Sequence, residues 1–319
     1  MRILVTGAAG YIGSQTCNYL KERGHYVIGI DRNEVRHTFF DEFHSGRDFS
    51  DIQDLLQGVD GVAHIAATSL VGPSMLDPST YYKNNVQGTL ALLDACKEAN
   101  VNQFVFASSA ACYGEVDSGV CRIEDGSTPL NPYGWSKRMT EIMLTDYARA
   151  HDISSVSLRF FNVAGADADL NLGQEKQATH IIARIMESAM KDKPFTFYGN
   201  DYNTPDGTCI RDYVHVKDIA HGISCAFAYL QKYKMPVAKI FNLGSGSGYS
   251  NQEVFNAITE HTPLKPQAIY AERREGDPAK LVADVTSTEK LHWTPKFGLD
   301  EIIKSAYNYY SKTTKTSTS

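Results

Sequence analysis

Hydrophobic positions alternate between two periods through the first half of the chain. A β-branched run at Arg2–Val5 predicts a strand, and helix-compatible residues follow from Tyr11 to Arg23. Val27–Ile30 predicts a second strand, apolar Gly61–Ala67 a third, Ser79–Ala99 a long helix, and Phe104–Phe106 a strand buried on both faces. A helix from Tyr133 to Ala150 and a strand at Ser157–Phe161 extend the series. Strands alternating with helices imply an α/β fold, a doubly wound parallel sheet. Beyond about Ala164 the texture changes to loops rich in Asp, Asn, Gly and Pro. A helix near His180–Met190 and another opened by the capping box Ser250-Asn251-Gln252-Glu253 suggest a smaller α/β cap domain. The run Ile240–Gly244 reads as one more strand that returns to the first sheet. The expected division is therefore 1–165 with return segments near 215–218 and 240–248, then 166–310, then a polar tail, 311–319, too poor in apolar residues to dock.

Composition narrows the classes. The chain has 319 residues, 31 Lys plus Arg against 37 Asp plus Glu, and a formal net charge of −6, which argues against work on nucleic-acid phosphates or anionic membranes. No apolar run reaches the roughly 20 residues that span a bilayer. Six cysteines lie far apart without a Cys-x-x-Cys pair, and the ten histidines form no HxxxH cluster, so neither a disulfide framework nor a metal site is indicated. The expectation is a soluble, cytoplasmic protein.

Candidate chemistry begins at Gly7-Ala8-Ala9-Gly10-Tyr11-Ile12-Gly13, glycines spaced GxxGxxG between a predicted strand and a predicted helix. Such a set often marks no more than a turn. Here Gly7 suits the turn, Gly10 allows a pyrophosphate to approach the backbone, and Gly13 lets helix pack on sheet, as in a Rossmann-like dinucleotide site. Asp31 ends the second strand 18 residues after Gly13, where a carboxylate bonds the adenosine ribose and repels a 2′-phosphate, so NAD is favoured over NADP. Arg32 beside it is the one residue placed to argue for NADP, though a solvent-facing arginine is the commoner case.

Tyr133 and Lys137 stand four residues apart on a predicted helix and so share one face. Alone, the spacing is a common surface pair. A phenol brought from a pKa of about 10 to about 7 by a nearby ammonium and a positive nicotinamide ring can accept and return a proton. With the glycine motif before it and Ser108-Ser109 at a strand end, the sequence resembles the extended branch of the short-chain dehydrogenase/reductase superfamily.

Within that branch, Tyr198–Tyr202, Thr204–Thr208, Arg211–Val216, Arg273–Pro278 and Arg159–Gly165 resemble the UDP-glucose 4-epimerases, over about Met1 to Tyr309. The resemblance implies that NAD takes a hydride from the sugar C4, that the 4-keto sugar turns over, and that the hydride returns to its other face. It makes Tyr133 the acid and base, Lys137 its electrostatic partner and ribose ligand, and Ser109 a donor to the reacting oxygen. Asp48 and Phe49 would cradle adenine, and Ala66, Ala67 and Asn84 would line the cofactor. Arg211 and Arg274 would grip the UDP diphosphate, Thr196 and Tyr198 would frame uracil, and Asn162, His180, Ile181 and Asp277 would hold nucleotide and sugar. Leu281 falls where the family flanks the hexose, with tyrosine in members restricted to simple hexoses and smaller residues in members that also take N-acetylhexosamines.

Ala8 in place of a second glycine is a mild departure from the family; the short Asn33–Arg47 segment and Ser69 in place of a lysine bear on how tightly NAD is held. A 4,6-dehydratase needs an acid pair that Ser109–Gly114 lacks. A non-catalytic NAD-sensing regulator is the rival of another class, and intact Tyr133 and Lys137 count against it. Apolar residues on more than one face of the helices from Ser79 and from Tyr133 (Tyr82, Val86, Leu90, Leu92, Leu93, Cys96; Trp135, Met139, Ile142, Met143) imply a homodimer paired through them.

Overall fold

The computed structural model of the chain describes residues 1–35, 37–174, 180–273 and 278–315. Its main sheet has seven strands: β1 (Arg2–Thr6), β2 (Tyr26–Asp31), β3 (Glu42–Ser45), β4 (Gly61–His64), β5 (Gln103–Ser109), β7 (Ser154–Phe160) and β11 (Ala238–Leu243). All neighbours are parallel, in the order β11-β7-β5-β4-β1-β2-β3. The order reverses between β1 and β4, and in an open parallel sheet such a switch point opens a crevice at the strand ends.

Alternate residues of each strand feed opposite faces. Ile3, Val5 and Val105 join Cys17 and Leu20 of α1 (Tyr11–Glu22) and Ile219, Ile223 and Phe227 of α7 (Val216–Leu230) in one core. Leu4, Phe104 and Phe106 join Leu92, Leu93 and Cys96 of α4 (Gly88–Glu98) and Leu144 of α5 (Pro132–His151) in the other. Two-sided burial is what made these strands continuous apolar runs.

The remaining strands form smaller sheets: β6 (Val120–Cys121), β8 (Asn162–Ala164), β10 (Ile210–His215), β12 (Gly248–Ser250) and β14 (Lys280–Ala283) around β10, and β9 (Phe195–Tyr198) with β13 (Ala268–Ala271). Helices α6 (Ile181–Met190), α8 (Asn251–His261) and α9 (Leu299–Lys315) pack beside them around a third core.

Several elements differ from the sequence reading, which placed no strand at β3. The strand expected over Gly61–Ala67 ends at His64, and its last three residues form a loop. The helix expected over Ser79–Ala99 is broken: after the short α2 (Val71–Leu76) and α3 (Pro78–Tyr81), Tyr82–Gln87 is a π-helix that leads into α4. And α9 runs to Lys315, five residues into the stretch expected to be a loose tail; its last turns are tied down, with Lys312 Nζ donating to the Ala168 carbonyl at 3.0 Å and Thr313 Oγ1 to Tyr310 O at 3.1 Å. Residues 316–319 lie outside the described residues.

Candidate active site

A cleft of about 800 Å³ opens at the switch point. Gly7, Gly10, Tyr11, Ile12, Gly13, Asp31, Asp48, Phe49, Ala66, Ala67, Asn84, Tyr133, Lys137 and His180 all line it. The turn that begins it is held by Gly7 N–H and Ala8 N–H on the Ile30 carbonyl, at 2.9 and 3.2 Å. Gly7 has φ +73°, and a Cβ there would sit 2.9 Å from Ala66 N; a Cβ on Gly13 would fall 1.9 Å from the Gly7 carbonyl oxygen. Only glycine permits this approach of turn, helix and neighbouring loop. Helix α1 starts from Gly10 with no side chain capping it and no acid in its first turn. Its first N–H groups and positive dipole end therefore remain available to an anion.

Asp31 closes the same end. Its carboxylate accepts Ala9 N–H at 3.1 Å and Asn33 N–H at 3.0 Å, which fixes it at the tip of β2 with lone pairs left over. Arg32, exposed, donates to Asn84 Oδ1 at 3.2 Å. Cleft volume, glycine approach, bare helix end and tip carboxylate together fit a dinucleotide.

Sequence reasoning missed the support beneath this wall. Thr89 Oγ1 donates to the Asn85 carbonyl at 2.5 Å, so it accepts from His64 Nε2 at 2.9 Å. His64 Nδ1 is then the acceptor for Thr6 Oγ1 at 2.8 Å, and Thr6 Oγ1 in turn accepts Ile65 N–H and Ala66 N–H, each at 3.1 Å. Burial and the nearby Lys137 hold His64 down to about 3, so it serves as a neutral relay. Asn85, on the π-helix, accepts Thr68 N–H at 2.9 Å and donates to Ser136 Oγ at 2.9 Å, and Ser136 donates to the Tyr133 carbonyl at 2.7 Å. The wider π turn is what brings Asn85 inward, and π turns are frequent at functional sites. A doubled Asn84-Asn85 inside an apolar helical pattern was the available signal.

Tyr133 enters the cleft from the first turn of α5. Asn131 caps that helix by accepting Gly134 N–H at 2.9 Å, and Pro132 occupies its first position. A Cβ on Gly134 would lie 2.4 Å from the Ala111 carbonyl oxygen, so the helix start sits close against the end of β5. Lys137, 3% exposed, donates from Nζ to the Ala107 carbonyl at 2.7 Å and lies 4.7 Å from the Phe106 ring centroid and 5.9 Å from that of Tyr133. Burial lowers Lys137 to about 8, against the raising effects of Cys112 and Glu141. Burial pushes Tyr133 up to about 12, opposed by the Ser109 hydroxyl. The expected lowering of this phenol is therefore not accomplished by Lys137 in the chain alone. The ammonium gives one of its three donors to a carbonyl and lies toward the ring, while desolvation of the phenolate dominates.

Behind the pair, Glu141, one turn beyond Lys137, is fully buried. It accepts Ser108 Oγ at 2.7 Å and both Nε and Nη2 of buried Arg159, at 2.8 and 2.7 Å. Arg159 also donates to Ser127 at 2.7 Å and lies over the Tyr113 ring at 4.4 Å. This joins α5, β5 and β7 under the reacting residues. Ser109, at the end of β5, accepts Ala111 N–H at 3.2 Å.

The residues expected to hold a UDP-sugar are dispersed. Asn162 pairs in register with Tyr213, and Arg211 with Leu281 on one side and Tyr249 on the other, so Asn162, Tyr213, Arg211 and Leu281 share one face of the β10 sheet. Thr196 and Tyr198 stand on β9, and Ile181 opens α6, where it packs toward the third core. Of this set the described lining of the cleft includes His180. Arg274 and Asp277 lie outside the described residues. Among the described residues no His, Cys, Asp or Glu group suits a metal ion, and no helix is long and apolar enough to cross a membrane.

Fold and site together define a dinucleotide-binding α/β protein with a tyrosine–lysine pair in its cleft. Residues 3–244 match the model of the NAD dependent epimerase/dehydratase family, and the chain belongs to that family. It is 39% identical to the UDP-glucose 4-epimerase of Azospirillum brasilense over 97% of this chain and 91% of that one. Its fold is similar to crystal structures of UDP-glucose 4-epimerase from Brucella ovis in complex with NAD (TM-score 0.90, 37% identity, 97% and 98% of the two chains) and from Bifidobacterium longum with NAD+ and UDP (TM-score 0.88, 30% identity, 98% and 99%).

Proposed function

We propose that this chain is an NAD-dependent UDP-glucose 4-epimerase that interconverts UDP-glucose and UDP-galactose. The observation that carries the reading is that Tyr133 and Lys137 line the same cleft as the glycine turn and Asp31. When bound, NAD supplies the hydride acceptor for the sugar C4, returns the hydride to the opposite face, and brings a positive charge. The start of α1 holds the pyrophosphate and Asp31 the ribose. Tyr133 takes the proton from the sugar O4 and gives it back after the keto sugar has turned. Lys137 bonds the ribose, and Ser109 donates to the reacting oxygen. Arg211, with Arg274, holds the diphosphate, which leaves the hexose free to turn.

The test is NMR of products formed by the purified protein from UDP-glucose, UDP-galactose and their N-acetyl counterparts. Interconversion of the first two, with no net change in NAD, is expected; inactivity on both with NAD supplied would overturn the reading.

The nucleotide-binding unit is assigned to 1–165 with the returning segments, and the UDP-sugar unit to 166–310. The working form is a homodimer. Leu92, Leu93 and Cys96 turn into the core, while Leu90, Trp135, Met139 and Ile142 stay 37–47% exposed on α4 and α5, an apolar face suited to a second copy. Sedimentation equilibrium at micromolar concentration should return twice the chain mass, and a single-chain mass would defeat the assignment. Six free cysteines accord with a reducing cytoplasm, which cell fractionation checks.

A further inference from the structure

A second pocket, of about 210 Å³, lies between α1, α7 and the Lys296–Phe297 segment, and none of its lining residues lines the cleft. Gln15 forms part of its wall and is 2% exposed, yet its Nε2 has no hydrogen-bond partner. His221 lines the same pocket, and its buried Nδ1 also has none. Buried polar atoms are rarely left unpaired, so two in one small pocket point to something they bind.

The charges around them are unevenly spent. Asp167 is taken by Lys217 at 2.6 Å, Asp218 accepts the N–H groups of Lys296 and Phe297 at 3.0 and 3.2 Å, and Glu22 accepts the Asn18 amide at 3.0 Å. Arg23 lies over the Tyr19 ring, 4.2 Å from its centroid. Among the described residues, neither Arg23 nor Lys296 has a carboxylate within ion-pair distance. Asp167 is charge-paired, Asp218 and Glu22 are bonded through one oxygen each and keep their charge at the rim, and Arg23 is shared with Tyr19; the buried atoms left unpaired are the Gln15 amide nitrogen and the His221 imidazole nitrogen, with Lys296 beside them. Burial and those same two cations hold His221 below its ordinary value. At 210 Å³ the pocket is below the range of about 300–1,000 Å³ usual for drug-sized ligands, so a nucleotide does not fit.

We propose that this pocket binds a small oxyanion, phosphate or carboxylate, between Gln15, His221, Arg23 and Lys296. The experiment uses the full chain loaded with NAD and UDP, so that its diphosphate sites are filled. Inorganic phosphate and acetate are titrated separately by calorimetry at constant ionic strength. Saturable binding of at least one anion in the millimolar range is expected, weakened by about tenfold or more in both Gln15→Leu and Lys296→Met, the loss of one charge-assisted contact. Phosphate alone or acetate alone names the class. Turnover of UDP-galactose should be unchanged in both variants. In anion-free buffer Gln15→Leu should melt no lower than wild type, because it removes an unpaired polar group from a buried site. No saturable binding of either anion, or binding untouched by both substitutions, overturns the proposal.

Discussion

At the β1–β4 switch point, every residue expected to touch a dinucleotide apart from Ser109 lines one cleft, carried there by strand ends, the loops that follow them and helices near their starts. Around β10, Asn162, Arg211 and Leu281 sit on β8, β10 and β14, brought side by side by pairing between segments far apart in the chain, while Thr196 and Tyr198 stand on β9 of a separate sheet and His180 and Ile181 at the start of α6. The first region is built from local units in which motif and element coincide. The second depends on register, which one residue of slip would invert. The two regions should accordingly fail in different ways when altered.

The largest effect is expected in the first. Tyr133→Phe removes the proton-transferring hydroxyl and no diphosphate contact, so turnover should fall by about 10²–10⁴-fold while UDP binding stays within a fewfold of wild type. Steady-state kinetics together with UDP titration separate the two. Epimerisation near the wild-type rate would remove Tyr133 from its assigned role.

Next comes the buried strut. Glu141→Ala leaves Arg159, 1% exposed, without its countercharge, and should cost about 3–5 kcal/mol in urea unfolding. The exposed pair Arg273–Asp201, 2.6 Å apart in the other region, provides the contrast: Asp201→Ala should leave the unfolding midpoint close to wild type, because solvent screens both partners. Equal losses in the two variants would mean that burial does not distinguish the regions.

These expectations also mark what was legible beforehand. Six of the seven strands of the main sheet were visible because each carries an apolar run buried in the sheet, whereas β3, the half-exposed Glu-Phe-His-Ser edge strand, was not expected; Gly7 and Gly13 were legible because the turn admits no side chain there. Asn85 was hidden. Its inward position depends on the π turn at Tyr82–Gln87, which leaves the apolar spacing of the helix almost unchanged. His64 was hidden for another reason: a polar residue at the end of an apolar strand carries no sign that Thr6 and Thr89 will meet it from both sides. The short Asn33–Arg47 segment, by contrast, proved structured in part, since His37 Nε2 lies 3.2 Å from the Ala8 carbonyl and its ring stacks on Phe39 at 4.9 Å. For the phenol of Tyr133, the charge opposite it could be read from spacing, while the desolvation that raises it in the chain alone could not.

The smallest effect, and the finest probe of the second region, concerns sugar size at Leu281. The register sets Leu281 directly beside Arg211 on a shared face, and the half-buried leucine packs toward a core containing Ala110, Tyr113 and Phe161. At the position beside the hexose that we propose for it, its branched end, shorter than a tyrosine ring and without a hydroxyl, would leave part of the room that an acetamido group needs. Wild type should therefore prefer UDP-galactose and retain some activity on UDP-N-acetylgalactosamine. One or two carbons in an apolar pocket change discrimination by about 1–3 kcal/mol, roughly 10-fold to 200-fold. Leu281→Ala should shift the ratio of kcat/KM toward the N-acetylated sugar and Leu281→Tyr should shift it away, with Tyr133 chemistry untouched in both. A ratio that moves in neither variant would place the limit on sugar size at another residue of the β10 face, and would show that register alone does not identify which of its side chains meets the sugar.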